Sequence, residues 1–247
     1  MKENAKSVLV LLLKRPLPGQ GKQRLAATLG GRAALAIAEG LLECALEDAR
    51  AWPGPVVLAP SLAADGDWIA ARFGAPALWL AQESGNLGQR INRIDRTLRA
   101  SGAERLLYMG SDAPMLQPRH FQAAASALHA GDVVLSAAAD GGVVLMGNAR
   151  PWPDLGGLPW SSARLGAALA RCCSAAGLQV DYVRPGYDVD VAADLQRLRV
   201  DLAGDPRPAR RHLLALLDAP LDGAPLPVLR PGSAASPAGR PPRVPPP

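Results

Sequence analysis

The sequence predicts one α/β domain in which a mostly parallel β-sheet lies between helices. Short apolar runs alternate with longer helical patterns from residue 8 to residue 203, and this alternation is typical of strand-helix-strand units. The chain has 247 residues and is 49% hydrophobic, which is enough to bury a full core. Because ligands bind outside the carboxyl ends of strands in such sheets, we expect the functional residues in the loops that follow strands.

Each predicted element has its own signal. The strands are apolar runs of four to six residues, and among the helices Pro118–Ala130 opens with a proline while Leu87–Ala100 carries charges on one face. The predicted strands are Val8–Leu13, Pro55–Ala59, Ala77–Leu80, Arg105–Met109, Asp132–Ser136, Val143–Met146 and Leu178–Val183. The predicted helices are Arg32–Ala49, Leu87–Ala100, Pro118–Ala130, Ser161–Ala176 and Val191–Ala203.

The composition changes beyond residue 204, since 12 of the 24 prolines lie in residues 201–247. Proline at that density cannot donate backbone hydrogen bonds or build a core. We therefore predict a domain over residues 1–204 and a loosely ordered Pro/Arg-rich tail over residues 205–247. One short helical pattern in the tail, Arg210–Leu217, is able to dock on the domain.

Charge and cysteine content exclude several classes of protein. The net charge is +5, and +3 of it lies in residues 205–247, which hold six Arg and three Asp. With 4% aromatic residues, the domain is not expected to bind nucleic acid. Cys44, Cys172 and Cys173 have neither metal-ligand spacing nor an even number, which favours a cytoplasmic protein. The first apolar run, VLVLLL, is too short for a secretion signal or a membrane span.

The stretch LYMGSDAPML, residues 107–116, places one carboxylate directly after a predicted strand. Asp112 follows Gly110, and Pro114 prevents the chain from extending the sheet. A carboxylate oxygen at a strand end suits Mg²⁺ or Mn²⁺. An aspartate here also commonly caps a turn or a helix, and the residues alone leave both roles open.

A second stretch, KRPLPGQGKQRL at residues 14–25, follows the first predicted strand. Gly19 and Gly21 allow the backbone to approach a ligand, while Lys22 and Arg24 supply positive charge, so phosphate is the natural partner. The stretch matches neither G-x-x-x-x-G-K-[ST] nor G-x-G-x-x-G. The phosphate assignment therefore depends on charge and glycine content.

Two further stretches carry carboxylates near predicted elements. DGGVVLMG begins at Asp140, and YDVDVAADL holds Asp188 and Asp190 at alternate positions. A hairpin turn also explains Asp140, because Asp-Gly is a strong hairpin signal. A helix N-terminus, which favours acids, also explains Asp188 and Asp190.

Six motifs in a fixed order make residues 8–195 resemble a known family. They are K-x-P-x-P-G-x-x-K-x-R-L, G-x-L-G-x-R, G-S-D-x-P-x-L, D-G-G, P-W-S and D-V-D-x-x-x-D-L. This order resembles the bacterial glycosyltransferase-A-like proteins catalogued as a domain of unknown function, which include proteins associated with arsenosugar or seleno-compound pathways. The family is related to the phospholactate and molybdenum-cofactor guanylyltransferases. The resemblance implies the nucleotide-diphospho-sugar transferase fold and a metal-dependent transferase.

The resemblance also implies roles by position. A divalent cation, Mg²⁺ or Mn²⁺, would bind Asp112 together with Asp188 or Asp190. The nucleotide would contact Pro18, Gly19, Lys22, Arg24, Gly85, Leu87, Gly88 and Arg90, with Lys22 and Arg24 on the diphosphate. The sugar or acceptor side would be formed by Asp140, Gly141, Gly142, Trp160 and Ser161.

Three of the motifs depart from the family pattern. Gln23 stands where the family usually has Thr, and Asn86 stands where it usually has Asp. Val143 and Val144 replace residues that are usually aromatic. The first two departures lie beside the implied nucleotide and the third lies beside the implied acceptor. They leave open a nucleotide sensor or a catalytically inactive paralogue.

Two reactions are compatible with these residues. Glycosyl transfer breaks the sugar C1–oxygen bond and releases a nucleoside diphosphate, whereas nucleotidyl transfer attacks the α-phosphate and releases pyrophosphate. The resemblance favours glycosyl transfer, and the first loop lacks the G-x-G-T-R pattern of sugar nucleotidyltransferases. The cation on Asp112 and Asp190 would stabilise the departing diphosphate, and Asp140 would deprotonate the acceptor or position the sugar. The expected partners are a nucleotide sugar or nucleoside triphosphate and a small-molecule acceptor; the oligomeric state is not readable from the sequence.

Overall fold

The computed structural model describes residues 7–74 and 78–219. Its seven strands form one sheet and match the seven predicted strands in order. The first residue of the predicted strand Ala77–Leu80 lies outside the described residues. The strands are β1 (Val8–Leu13), β2 (Val56–Pro60), β3 (Leu78–Trp79), β4 (Leu106–Met109), β5 (Val133–Ala138), β6 (Val143–Asn148) and β7 (Val180–Gly186).

The sheet has the spatial order β3-β2-β1-β4-β6-β5-β7. Its pairings are parallel except those of β6, which runs antiparallel to both β4 and β5. The carboxyl ends of the other six strands therefore meet at one edge. The chain proceeds from β1 to β2 on one side and reaches β4 on the other, so a topological switch point lies between β1 and β4.

Eight α-helices are present in the described residues, and the α/β class is confirmed. The predicted bounds of α4 and α5 agree with the structure, whereas α1 and α3 were not predicted and α6 begins at Leu165 rather than Ser161. Within residues 7–74 and 78–219, none of the helices has the length and apolar composition that crossing a membrane needs. The helices are α1 (Gln23–Leu29), α2 (Gly31–Ala51), α3 (Gly66–Phe73), α4 (Leu87–Ala100), α5 (Pro118–Ala130), α6 (Leu165–Ala175), α7 (Ala192–Leu202) and α8 (Pro208–Asp218).

The interior strand β1 is buried on both faces, as expected for a parallel strand between two helix layers. Leu9 and Leu11 pack in a core with side chains of α2, α3 and α5. Val10 points to the opposite face and packs with side chains of α4 and α6. This double burial explains why β1 reads as a continuous apolar run rather than an alternating one.

The C-terminal helix α8 belongs to the folded unit. Leu213 and Leu217 are fully buried in a third core that α8 shares with α1, α2 and α7. The predicted boundary after residue 204 placed this helix in a loosely ordered tail, and over residues 205–219 the structure differs from that prediction. The physical reason is that the apolar spacing of α8 buries two leucines despite the surrounding prolines; residues 220–247 lie outside the described residues.

Candidate active site

Loops at the carboxyl edge of the sheet enclose a cleft of about 640 Å³. The cleft lies at the ends of β1 and β4, where the strand order changes direction and where open α/β sheets bind ligands. Loops after β1, β4, β5 and β7 all contribute side chains. The predicted residues that line it are Lys22, Arg24, Leu87, Arg90, Asp112, Asp140, Gly142, Trp160, Ser161, Asp188 and Asp190.

Lys22 contacts two of the predicted metal ligands at once. Its Nζ lies 2.8 Å from Asp112 Oδ2 and 3.2 Å from Asp190 Oδ1, and it donates to the carbonyl oxygen of Val189 at 2.6 Å. Burial lowers the pKa of Lys22, but the two carboxylates outweigh this effect and raise the pKa above its usual value. The ammonium is therefore charged at neutral pH and is held between the two carboxylates.

Local backbone geometry directs Lys22 toward these acids. Lys22 precedes α1 in a left-handed conformation, with φ 45° and ψ 37°. Gln23 closes the same loop because its Nε2 donates to the carbonyl oxygen of Gly19 at 2.9 Å. In the described part of the chain, the only other non-glycine residue with a positive φ is Ser161, which also lines the cleft. Such conformations cost about 1 to 3 kcal/mol each and concentrate at functional sites.

Asp190 does not serve as the acid at the N-terminus of α7. Asp194 takes that role, because its Oδ2 accepts the N–H groups of Asp190 and Val191, each at 2.8 Å. The carboxylate of Asp190 is thereby left to bind Lys22. The backbone of Asp112 is tied to the same region, since its carbonyl oxygen accepts the N–H of Val189 at 2.9 Å. These bonds bring the loops after β4 and β7 together.

Asp140 combines both roles that the sequence left open. Its Oδ1 accepts the N–H of Gly142 at 2.9 Å, which stabilises the turn between β5 and β6, and the side chain also lines the cleft.

Asp188 lies close to Asp140 in the cleft. Burial, followed by the negative charges of Asp140, Asp190 and Asp112, raises the pKa of Asp188 to about 6. Four carboxylates from three loops therefore lie in one cleft.

Besides Lys22, three cationic side chains line the cleft, namely those of Lys14, Arg24 and Arg90. Arg90 is held in place because its Nε donates to the carbonyl oxygen of Gly85 at 2.8 Å and its Nη1 lies 3.5 Å from Gln82 Oε1. No ion pair among the described residues involves Lys14 or Arg24. Lys14 was not among the predicted site residues, although its position directly after β1 is the signal that could have identified it.

The cleft lining does not include five of the predicted residues. Gly88 is buried, and a Cβ there would lie 2.1 Å from the carbonyl oxygen of Leu155 and 2.5 Å from Trp160 Nε1. A Cβ on Gly141 would lie 2.0 Å from the carbonyl oxygen of Ala163. These two glycines are packed closely against neighbouring backbone, and Pro18 lines a separate cavity of about 220 Å³. The five residues are Pro18, Gly19, Gly85, Gly88 and Gly141.

Asn86, one of the departures from the family pattern, has a clear structural role. Its Oδ1 accepts the N–H of Gln89 at 3.0 Å, and Gln89 Oε1 accepts the N–H of Asn86 in return, so the two residues form a capping box on α4. Asn86 Nδ2 also donates to the carbonyl oxygen of Gly156 at 2.7 Å. An aspartate can accept the first bond but cannot donate this one. Asn86 therefore joins α4 to the segment that carries Trp160.

The chemistry of the acids fits a hard cation. Carboxylate oxygens are the ligands that Mg²⁺ and Mn²⁺ prefer, and those of Asp112 and Asp190 already bind one positive group, the Lys22 ammonium. Within residues 7–74 and 78–219, no group of three or more His, Cys, Asp or Glu side chains is arranged to hold a metal ion. A metal ion bound to both carboxylates would take the place of the ammonium.

Solved structures with this architecture include several transferases. A proposed nucleotide-diphospho-sugar transferase from Desulfovibrio desulfuricans G20 is 25% identical to this chain and has a TM-score of 0.77. The match covers 85% of this chain and 93% of the Desulfovibrio chain. A cytidylyltransferase from Leptospira borgpetersenii is 12% identical, with coverages of 86% and 94% and a TM-score of 0.51. A nucleotidyl transferase from Methanothermobacter is 15% identical, with coverages of 84% and 98% and a TM-score of 0.50. The chain therefore has the nucleotide-diphospho-sugar transferase fold.

One family model matches part of the chain. Residues 45–162 match the family described as an uncharacterized protein conserved in bacteria, DUF2064. The matched segment contains Asp112, Asp140 and Trp160, while Lys22 and Asp190 lie outside it. No curated protein matches the chain.

Proposed function

We propose that the chain is a transferase that binds a nucleotide sugar in this cleft and transfers the glycosyl group to a small-molecule acceptor. One observation carries the proposal: the cations Lys14 and Arg24 and the acids Asp112, Asp140 and Asp190 converge in one cleft at the switch point of the sheet. The likeness to the proposed nucleotide-diphospho-sugar transferase of Desulfovibrio desulfuricans G20 supports the same class. The arsenosugar and seleno-compound pathways stay predictions from the family resemblance.

The diphosphate of the donor is assigned to Lys14 and Arg24. Both line the cleft, and neither is committed to a carboxylate of the described residues. Bonds from a cation to a phosphate oxygen are stronger than bonds between neutral groups. Lys22 differs from these two residues because its ammonium is already paired with Asp112 and Asp190. It becomes available to a phosphate only when those carboxylates gain another partner.

That partner, in our proposal, is Mg²⁺ or Mn²⁺ held by Asp112 and Asp190. Asp112 and Asp190 would hold the cation, which would supply positive charge beside the diphosphate. Lys22, now paired with these two carboxylates, would then be available to phosphate oxygens. We therefore expect the nucleotide and the cation to bind together rather than separately.

The acceptor side is assigned to Asp140 and Trp160. The acceptor hydroxyl attacks C1 of the donor sugar, the bond between C1 and the phosphate oxygen breaks, and Asp140 takes the hydroxyl proton. The bond from the N–H of Gly142 to Oδ1 orients the Asp140 carboxylate for this step. Trp160 is held by its own bond from Nε1 to the carbonyl oxygen of Leu155 at 2.9 Å, and its ring gives the cleft an apolar surface for a sugar or acceptor.

Product analysis tests the proposal. The protein is incubated in parallel with nucleotide sugars and with nucleoside triphosphates, under Mg²⁺ and under Mn²⁺, together with a panel of small acceptors. Acceptor-dependent release of a nucleoside diphosphate supports glycosyl transfer. Release of pyrophosphate from a triphosphate, with no diphosphate from any sugar donor, would assign nucleotidyl transfer instead. Nucleotide binding without either product would identify a sensor or an inactive paralogue.

A further inference from the structure

Arg210 is a fully buried charge that joins α8 to α2. Its Nη1 lies 2.9 Å from Glu47 Oε2, and its Nη2 forms an ion pair with Asp48. Burial raises the pKa of Asp48 to about 6, with the guanidinium groups of Arg210 and Arg207 opposing the increase. The close contacts of Asp48 with both guanidinium groups make this a buried ion pair.

The same guanidinium reaches the loop that carries Asp112. Its Nε donates to the carbonyl oxygen of Pro114 at 3.1 Å, and its Nη2 lies 3.5 Å from the carbonyl oxygen of Leu116. Both carbonyl groups lie between β4 and α5, outside any strand or helix, and buried carbonyl groups need a donor. A planar guanidinium with five N–H groups can serve two loop carbonyls and two carboxylates at once, whereas one ammonium cannot.

Docking of α8 does not by itself require this buried charge. Leu213 and Leu217 are fully buried, and Leu213 Cδ1 lies 2.9 Å from where a Cβ on Gly40 would stand, so α2 and α8 pack closely. The N–H of Ala209 is also satisfied by Glu47 at 2.9 Å. A buried ion pair that is replaced as a whole by apolar groups often loses no stability, whereas removal of one partner alone is costly. Apolar packing can reproduce neither the bonds to the 110–117 loop nor the bond from Nη1 to the carbonyl oxygen of Cys44, and of these only the former reach the loop that carries Asp112.

We infer that Arg210 is a positioning residue for Asp112. It holds the 110–117 loop from the side of α8, while Lys22 and Val189 hold Asp112 from the side of the cleft. On this inference, helix α8 is part of the site. It lies outside residues 45–162, the segment that matches the family model. The ligand of Asp112 depends on the proposed function, whereas the positioning of the 110–117 loop by Arg210 does not depend on it.

Hydrogen–deuterium exchange of the full chain tests the positioning role. We compare Arg210→Lys and Arg210→Gln with Leu213→Ala, which loosens the docking of α8 but removes no bond to the loop. Both Arg210 variants should accelerate amide exchange in the 107–117 segment about tenfold, while Leu213→Ala should affect α2 and α8 only. The inference would be overturned if residues 107–117 were as protected from exchange in the Arg210 variants as in wild type. It would also be overturned if Leu213→Ala lost as much protection in this segment as the Arg210 variants.

Calorimetric titration supplies the second readout, with UDP, GDP and CDP as probes, each in Mg²⁺. For a nucleotide that wild type binds, Arg210→Lys should weaken affinity about tenfold and Leu213→Ala less than about twofold. Unchanged affinity in Arg210→Lys would contradict the role in the site. If wild type binds no nucleotide, the proposed function fails, and the exchange data still decide whether Arg210 positions the loop.

Discussion

Lys22 and Arg210 each bridge two carboxylates, in opposite environments. Lys22 lies between Asp112 and Asp190, whose side chains are 45% and 48% exposed. Arg210 lies between Glu47 and Asp48, whose side chains are 20% and 5% exposed. The Lys22 cluster joins the loops after β1, β4 and β7. The Arg210 cluster joins the helices α2 and α8.

The difference in exposure determines what each cluster can do. Water and dissolved ions reach the carboxylates around Lys22, so either carboxylate can change partner at little cost. The carboxylates around Arg210 cannot change partner at little cost, because removal of one partner leaves a charge unpaired in a poorly solvated place. We therefore assign ligand exchange to the Lys22 cluster and permanent support to the Arg210 cluster. Three substitutions test this comparison, and a fourth tests the bond that joins α4 to Gly156.

Arg210→Met should have the largest effect on stability. It removes the buried cation from Glu47, while Asp48 keeps its ion pair with Arg207 at 2.9 Å, and we expect the free energy of unfolding to fall by about 3 kcal/mol. Urea denaturation measures the change. The neighbouring exposed residue supplies the control, because Arg211→Met should change stability by less than about 0.5 kcal/mol. Equal effects of the two variants would show that the buried cluster contributes nothing.

Asp112→Ala should affect binding rather than stability. Loss of one ligand of a charged site should weaken the binding of nucleotide with Mg²⁺ by about 2 to 4 kcal/mol, as calorimetry will measure. Asp67→Ala, a change of an exposed acid in α3 away from the cleft, is the control. Wild-type affinity in Asp112→Ala would make the metal assignment wrong.

Lys22→Met should strengthen the binding of Mn²⁺ in the absence of nucleotide. Without the ammonium, the carboxylates of Asp112 and Asp190 are open to a metal ion, and we expect a gain of about tenfold, or about 1.4 kcal/mol. Electron paramagnetic resonance measures free Mn²⁺ directly. Arg24→Met removes one positive charge from the same loop but leaves the ammonium in place. If both variants bind Mn²⁺ equally, local charge and not exchange of partners explains the gain.

Asn86→Asp should have the smallest effect. The substitution keeps the cap on α4 but removes the bond from Nδ2 to Gly156, which should lower the free energy of unfolding by about 1 kcal/mol. Thermal denaturation measures this change. Asn86→Ala removes the cap as well and should cost more. An aspartate variant as stable as wild type would show that the bond to Gly156 is dispensable.

Most of the fold was predictable because its signals are local. The strands were found from apolar runs, and α4 and α5 were found with the bounds that the structure shows. The helix α1 was missed because its seven residues follow a loop rich in glycine and proline. The docking of α8 was left open because proline content describes the chain average, whereas docking depends on where two leucines fall on one face.

The site was predicted in part. Residue type and position indicated Lys22 and Asp112, and the family resemblance added Asp190; the three side chains do lie together. Their roles in binding a nucleotide or a metal ion stay predictions. Gly88 was predicted to border a ligand, which stays a prediction, and the structure shows that it also packs against the backbone of Leu155.

Periodicity and residue chemistry, which can be read along the chain, established the class of fold, the order of its elements and the presence of charged loops after the strands. Three-dimensional packing alone decided that the Lys22 ammonium lies between Asp112 and Asp190, 90 and 168 positions away, and that Arg210 reaches Pro114. The physical reason is range. Hydrophobic patterning acts between near neighbours in the chain, whereas a charge selects its partners by distance and burial in space, which the sequence order does not encode.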